Sequence, residues 1–280
     1  MPFDYDYHSL IKQILVHGDN IKNERTGVVC KTLYHARVCC DLREGIPTVN
    51  TRKLYPKSAA AELAWTLLGT QETEFIKKYS KMWSKFEDEP GRIIPAYGWR
   101  WRKHFGRDQL LGAINALKLD SSNRQVCVTA WDPTTDGLDS IGRYKNVPCP
   151  LGFMLNITAD NKLNMSVIMR SSDVIVGLPY DIMMYSMLCK LIANELKISA
   201  GCLTFFLNNV HIYEPYLKEA DAMVWRHRMH IPPLYVPQGF NIGDWDVNKV
   251  TKCPDAFVEY VTEVAKKDEY PPIIKFEVIE

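Results

Sequence analysis

The sequence predicts a single α/β domain over residues 1–280, because helix-like and strand-like patterns follow one another along the chain. Apolar residues recur at helical spacing in residues 4–18, whereas apolar and polar residues alternate in residues 28–40, as in a strand. No Pro/Gly/Ser-rich linker, internal repeat or low-complexity run divides the chain. A chain of 280 residues can bury one large core, so we favour one domain over two small ones.

The other elements are predicted from local patterns. Residues 58–69 form a nearly all-apolar helix, with Ser58 as its N-cap and Gly69 at its C-terminal end. Clean alternation around an Ala-Asp-Asn-Lys turn predicts a β-hairpin over residues 152–170. Further helices are expected over 107–119 and 182–196, and further strands over 125–130 and 204–207.

The composition argues against several classes of protein. The formal net charge is +1, so bulk electrostatic attraction does not predict a polymeric nucleic acid as partner. The chain has no run of about twenty apolar residues, and its acidic start does not fit a signal peptide, so no membrane contact is expected. The eight cysteines show no CxxC spacing and no HExxH motif occurs, which disfavours a zinc enzyme. We therefore expect a cytoplasmic protein with reduced cysteines and no metal.

The stretch from Met169 to Asp181 is the first candidate site. Arg170 ends a strand pattern, and Gly177 and Pro179 then turn the chain into a helix. An arginine, two hydroxyls and two aspartates thus cluster where a strand stops, which is typical of a site for an anionic, polar ligand. Taken alone, the stretch fits a strand end with solvated charges equally well.

Cys149 is the second candidate, because it lies between Pro148 and Pro150. Two neighbouring prolines restrict the backbone, so the thiol is held at a fixed bend rather than inside a regular element. A lone cysteine is usually buried and inert. Here, however, Arg170 lies across the predicted hairpin, where its positive charge favours the thiolate.

Glu62 is an anomaly in its apolar helix, on the same face as Trp65. An unpaired carboxylate there is costly, so it forms an ion pair with a buried arginine or carries a raised pKa suited to proton transfer. Aromatic residues and arginines also cluster from Trp83 to Arg102. Such clusters often stack on flat ligands, although core packing is the commoner explanation for a single tryptophan.

Together these motifs resemble the thymidylate synthase and pyrimidine-nucleotide hydroxymethylase family, from Arg25 to Glu280. The matching motifs are R-T-G at Arg25, the strand motif G-x-P-x-x-T-x-R from Gly45 to Arg52, Y-G-x-x-W-R from Tyr97, P-C at Cys149, R-S at Arg170 and H-x-Y at His211. The resemblance implies an α/β fold with one large mixed sheet, flanking helices and a back-to-back homodimer. It also implies 5,10-methylenetetrahydrofolate as the cosubstrate.

The resemblance assigns a role to each candidate residue. Cys149 would be the nucleophile, and Glu62 and Tyr97 would move protons. The substrate would be bound by Arg25, Arg170 and Ser171 at the phosphate, by Arg124 from the partner subunit, by His211 and Tyr213 at the sugar and by Asp181 at the base. The residues on the folate side would be Trp83, Asp173, Gly177 and Tyr180.

Asp181 stands where thymidylate synthases have asparagine. An amide donates to O4 of uracil and accepts from N3–H, whereas cytosine presents a donor at N4 and an acceptor at N3. The resemblance therefore predicts a dCMP methyltransferase that gives 5-methyl-dCMP and dihydrofolate, and Trp83 with a closing tail over residues 272–280 would exclude water. The alternatives are a dCMP hydroxymethylase, then a dUMP-specific thymidylate synthase, and remotely a non-catalytic nucleotide- or RNA-binding paralogue.

Five residues depart from the family pattern, and two of them are Asn208 and Asn209, where the family motif before His211 has Gly and Asp. Pro150 replaces the histidine that follows the nucleophile, Met169 replaces a glutamine, and Asn123 replaces the first of two adjacent arginines. The missing histidine weakens a preference for uracil more than it weakens the nucleophile. Modification of cytosine at the nucleotide level would suit a phage that protects its DNA, in which case the enzyme would work in the host cytoplasm.

Overall fold

The computed structural model of the protein describes residues 3–140, 142–226, 234–236, 239–245, 253–265 and 279. The helices in these ranges are α1 (Phe3–His17), α2 (Pro56–Leu68), α3 (Glu74–Lys77), α4 (Tyr97–Trp99), α5 (Gln109–Leu119), α6 (Leu178–Glu195), α7 (Leu217–Val224) and α8 (Cys253–Ala265). The strands are β1 (Asp19–Lys22), β2 (Val29–Asp41), β3 (Cys127–Thr129), β4 (Pro150–Ile157), β5 (Lys162–Asp173) and β6 (Ser199–Tyr213).

The six strands form one mixed sheet in the order β1-β2-β6-β5-β4-β3. Every neighbouring pair is antiparallel except β5 and β6, which run parallel. The carboxyl ends of β5 and β6 therefore meet, and Asp173 lies opposite His211 in the register. The predicted α/β fold with a large mixed sheet and flanking helices is confirmed.

One face of the sheet carries the core. Buried residues alternate along β5 and β6, and α6 packs on these strands and on α2. On the opposite face, two large hydrophobic side chains are partly exposed: Ile168 by 36% and Phe206 by 45%. Ile168 and Phe206 are register partners, so their side chains form a continuous apolar patch.

Several element boundaries differ from the prediction. Helix α2 begins at Pro56 with Tyr55 as its N-cap, so Ser58 is not the cap; proline suits the first turn because its missing N–H needs no partner there. Gly69 does end this helix, in the left-handed region at φ 62°. Gly45 to Arg52 forms no strand, and only Ile46 makes an isolated bridge, to Leu234.

The elements around the candidate site are longer than expected. Helix α6 begins at Leu178 instead of residue 182, so Asp181 lies in its first turn. Strand β6 extends beyond 204–207 in both directions, because β2 and β5 pair with it on either side. Strand β3, at the edge of the sheet, is shorter than the predicted 125–130.

The predicted closing tail, residues 272–280, falls outside the described residues apart from Ile279, which packs against the core. Residues 225–254 are described only in part. Among the described helices, none combines the length and the apolar character that a membrane span requires.

Candidate active site

The candidate site lies where β4 begins and where β5 and β6 end. Cys149 occupies a bend immediately before β4, as its flanking prolines predict. Across the hairpin, the Arg170 backbone N–H donates to the Cys149 carbonyl oxygen at 2.9 Å. The Arg170 side chain donates to the carbonyl oxygens of Pro148 at 2.8 Å and Val147 at 2.7 Å. Arg170 therefore holds the cysteine loop in place and brings its guanidinium to 4.0 Å from the Cys149 sulfur.

The Cys149 thiol responds to two opposing influences. Burial raises its pKa, while the positive charges of Arg170 and Arg25 lower it. Burial is the stronger influence, so the pKa of the Cys149 thiol is raised overall. Arg170 favours the thiolate, as predicted, but its effect is smaller than that of burial. In the free protein the thiol is protonated at neutral pH.

Three carboxyl groups near this thiol have raised pKa values. Burial, with a smaller contribution from Asp181, raises the pKa of Glu62 to about 8. Burial and then the charge of Asp173 raise the pKa of Asp181 to about 7. Burial raises the pKa of Asp173 to about 6, against the effect of backbone N–H donors from Val176 and Ile175. Glu62 has no ion pair with a described residue, so the raised-pKa interpretation of this residue is the one that the structure supports.

Tyr97, at the start of α4, belongs to the same electrostatic group. Its hydroxyl pKa lies well above the usual value because it is buried and because Cys149, Asp181 and Glu62 surround it with negative charge. The structure thus brings together the four residues to which the sequence assigned the chemistry.

The sugar end of the site is built on β6. The rings of His211 and Tyr213 meet edge to face at 5.1 Å. Burial, together with the nearby charge of Arg25, lowers the pKa of His211 to about 4, so this histidine is neutral at pH 7. Its Nδ1 lies 3.0 Å from the Asn209 side-chain oxygen, which fits a donating Nδ1–H. Asn209, a mismatch to the family motif, therefore has a role in orienting His211.

The residues predicted to bind phosphate lie on separate parts of the fold. Arg25 lies in an exposed turn, whose Asn23 side chain accepts from the Arg25 and Thr26 backbone N–H groups. Ser171 lies on β5 opposite Asn209. Arg124 is exposed, and none of its described contacts joins it to these residues.

The folate-side candidates lie around the first turn of α6 and beside α2. Trp83 is 6% exposed and packs against Trp65 at 5.3 Å and Tyr97 at 6.5 Å, beside a shallow pocket. The carboxylate of Asp173 accepts from two backbone N–H groups, and its carbonyl accepts from Gly177 at 3.1 Å. Burial raises the pKa of Tyr180, which follows in the same turn.

The departures from the family pattern have local structural roles. Pro150 is the first residue of β4, and Met169, 1% exposed, fills the core beneath Arg170. The side chain of Asn123 accepts from the Gln125 backbone N–H at 2.8 Å and so stabilises the turn before β3.

Sequence reasoning missed three residues at the site. Arg52 is buried, donates to the Ile175 carbonyl and lowers the pKa of Asp173. The guanidinium of Arg170 lies 5.9 Å from the Trp131 ring centroid. Tyr185 is buried one helical turn after Asp181, and that i, i+4 spacing was the signal that could have revealed it.

The sequence comparisons identify the family. The family profile described as Thymidylate synthase matches residues 5–253. The chain belongs to the thymidylate synthase family. Among its relatives, a protein named thymidylate synthase from Francisella philomiragia is 29% identical over 242 residues, which cover 82% of this chain and 88% of that protein. Another from Francisella tularensis subsp. holarctica is 28% identical over the same shares of both chains.

Membership of the thymidylate synthase family gives the clustered residues a common chemistry. A partly buried thiol beside an arginine can be activated as a nucleophile, and carboxyls with raised pKa values can exchange protons near neutral pH. Within the described ranges, no group of three or more His, Cys, Asp or Glu side chains is arranged to hold a metal ion.

Proposed function

We propose that this protein transfers a one-carbon unit from 5,10-methylenetetrahydrofolate to C5 of dCMP and releases 5-methyl-dCMP and dihydrofolate. The observation that carries the proposal is the position of Asp181. Its half-buried carboxyl, with a pKa of about 7, belongs to the same electrostatic group as Cys149, Glu62 and Tyr97. The base of a bound nucleotide would meet this carboxyl where thymidylate synthases present an amide.

Cys149 would start the reaction by adding to C6 of the base, which makes C5 nucleophilic enough to attack the one-carbon unit. Arg170 and Arg25 lower the cost of ionising the thiol, since both lower its pKa. Tyr97 and Glu62 would then assist removal of the C5 proton, which expels the folate nitrogen and leaves an exocyclic methylene. Hydride transfer from tetrahydrofolate completes the methyl group, and the Cys149–C6 bond breaks to release the product.

A neutral Asp181 carboxyl has one donor and one acceptor, so it can accept from N4–H of cytosine and donate to N3. With its oxygens exchanged, the same group can donate to O4 of uracil and accept from N3–H. Ionisation removes the donor. The cytosine complex tolerates this better, because N3 of cytosine is basic and can carry the proton itself, whereas O4 of uracil cannot.

Two alternative products follow from the same site. Trp83, buried against Tyr97, supports exclusion of water and hence the methyl product; entry of water would give 5-hydroxymethyl-dCMP and tetrahydrofolate. The names of the Francisella relatives favour dUMP as substrate. The neutral form of Asp181 is compatible with that base as well.

The deciding experiment is the mass of the nucleotide and folate products when dCMP and dUMP are supplied separately with methylenetetrahydrofolate. Methylated dCMP with dihydrofolate supports the proposal. A product one oxygen heavier, with tetrahydrofolate, makes the protein a hydroxymethylase. Turnover of dUMP alone contradicts the role of Asp181 as the cytosine reader, and the Cys149→Ser variant is the inactive control.

We further propose a homodimer that packs the exposed sheet faces back to back. The patch formed by Ile168 and Phe206 supports this arrangement, because contiguous apolar surface on a sheet face is typical of an interface. In such a dimer Arg124 would serve the partner's site, which fits its exposure and its lack of a described contact within its own site. Light scattering on the wild type and on Phe206→Asp tests the interface.

A further inference from the structure

Tyr185 has an unpaired hydroxyl in the most buried part of α6. Its side chain is 0% exposed, and its oxygen has no hydrogen-bond partner among the described residues. Three aromatic rings enclose it, with centroid distances of 5.9 Å to Trp101, 6.1 Å to Phe153 and 5.7 Å to Phe205. Buried hydroxyls are nearly always paired, because an unpaired one has lost its water without compensation. An orphaned hydroxyl at this depth requires an explanation.

The position of Tyr185 on its helix indicates where the hydroxyl points. Asp181 precedes it by one turn, so the two side chains share a face of α6. Long side chains in a helix lean back over the preceding turn, towards the helix N-terminus. The ring of Tyr185 therefore runs from the aromatic enclosure towards Asp181.

The electrostatic surroundings agree with this direction. After burial, the influences that raise the pKa of the Tyr185 hydroxyl are the charges of Asp181, Tyr97, Glu62 and Cys149, in that order. These are the four residues of the proposed chemistry, and Asp181 is the strongest of them. The hydroxyl of Tyr185 is thus within electrostatic reach of the Asp181 carboxyl.

A purely structural role does not account for the hydroxyl. Phenylalanine would fill the same enclosure without an unpaired polar atom. Tyr7 provides the contrast within the same chain: it is equally buried, at 0% exposure, and its hydroxyl donates to the Val174 carbonyl at 2.9 Å. The Tyr7 hydroxyl therefore has a hydrogen-bond partner in the free protein, whereas the Tyr185 hydroxyl has none among the described residues.

We propose that Tyr185 is a positioning residue that sets base specificity: with nucleotide bound, its hydroxyl donates a hydrogen bond to one oxygen of the Asp181 carboxyl. That oxygen is then fixed as an acceptor, and the carboxyl proton is confined to the other oxygen. A neutral carboxyl free to exchange its oxygens can match cytosine or uracil, but one held in this way presents a single donor–acceptor pattern. This inference rests on the proposed function, in which Asp181 reads the base.

The test is the Tyr185→Phe variant, compared with wild type in three measurements. The melting temperature should stay the same or rise, because no hydrogen bond of the free protein is lost. The ratio of kcat/KM for dCMP to kcat/KM for dUMP should fall about tenfold, since Asp181 regains both orientations. The pH midpoint of nucleotide binding, measured by calorimetry, should move upward, because the ionised carboxyl loses a donor.

Tyr7→Phe is the matched control: it should lower the melting temperature and leave the pH midpoint unmoved. An unchanged kcat/KM ratio together with an unchanged midpoint in Tyr185→Phe overturns the proposal. A loss of fold, or a fall in melting temperature as large as that of Tyr7→Phe, overturns it too, because the hydroxyl would then be paired in the free protein. If wild type turns over neither nucleotide, the proposed function fails, while the midpoint of dCMP and dUMP binding still tests Tyr185.

Discussion

Replacing Asp181 by asparagine should remove the pH dependence of nucleotide binding above pH 6. With a pKa of about 7, the wild-type carboxyl is ~90% protonated at pH 6, ~10% at pH 8 and ~1% at pH 9. If only the neutral form binds well, the apparent Kd rises in inverse proportion to that fraction, by about tenfold between pH 6 and pH 8. The apparent Kd stops rising at the pH where most binding is to the protein with ionised Asp181. Asparagine stays neutral throughout, so its profile should be flat over this range.

The total loss of affinity at high pH should depend on the base of the nucleotide. An unsatisfied buried polar contact costs about 1–3 kcal/mol, which corresponds to roughly 5- to 150-fold in Kd. For dUMP the ionised Asp181 faces O4 without a donor, so the full loss is expected. For dCMP the loss should be smaller, because protonated N3 can pair with the carboxylate. The preference of the wild type for dCMP should therefore increase with pH, and that of Asp181→Asn should not.

Isothermal titration calorimetry from pH 5.5 to 9 suits this test, in a Cys149→Ala background that prevents adduct formation. Asp173→Asn is the matched control. It should keep the pH dependence but shift the midpoint downward, because the charge of Asp173 raises the pKa of Asp181. A pH dependence that survives in Asp181→Asn would refute the reasoning, since the titrating group would then be Glu62 or another residue.

Three further predictions concern the nucleophile, the proton relay and the dimer. Cys149→Ser should lower turnover by ~10³-fold or more and change the nucleotide Kd by less than about threefold. The control Cys127→Ser, at an exposed cysteine, should change neither turnover nor Kd. A fully active Cys149→Ser would exclude the covalent mechanism. Glu62→Gln should raise the stability to denaturant by about 1–3 kcal/mol at pH 9 and by little at pH 5. In the wild type the folded-state pKa of Glu62, about 8, lies above its unfolded value, so the wild type loses stability as pH rises towards 8. A stability gain of equal size at pH 5 and pH 9 would contradict this prediction. Mixing Arg124→Ala with Cys149→Ala protein should restore turnover, since each mixed dimer has one complete site; no gain on mixing would place Arg124 outside the partner's site.

The local patterns of the sequence were sufficient for the fold class and for most of the elements. The hairpin and the end of α2 at Gly69 follow from short-range periodicity and turn chemistry, whereas the mixed sheet was implied by the family resemblance. The boundaries that failed depend on pairing in three dimensions. Strand β6 reaches 15 residues because it has a strand on each side. The local pattern of residues 208–213 does not predict that the strand extends over them.

The site was predictable where a residue type was anomalous in its local setting. Glu62 in an apolar helix and Cys149 between prolines were visible for that reason, and the structure places both beside Arg170 or Asp181. The pKa of Cys149 was not predictable, because the balance between burial and the two arginines depends on packing. Tyr185 was missed because a tyrosine in an apolar helix looks ordinary until its surroundings are known.

The raised pKa values near Cys149 are best understood as one property of the site. Glu62, Asp181 and Asp173 have pKa values of about 8, 7 and 6, raised mainly by burial, and the charge of another carboxyl adds to the shift at Glu62 and at Asp181. At pH 7 Glu62 is therefore mostly protonated, Asp181 is about half protonated and Asp173 is mostly ionised. The family histidine, which would supply a further polar group next to the nucleophile, is replaced here by Pro150, the first residue of β4. A carboxyl that retains its proton can take over the donor role at the base edge. The replacement of asparagine by Asp181 and the loss of the histidine are therefore compatible with the proposed site, in which a protonated acid would read cytosine.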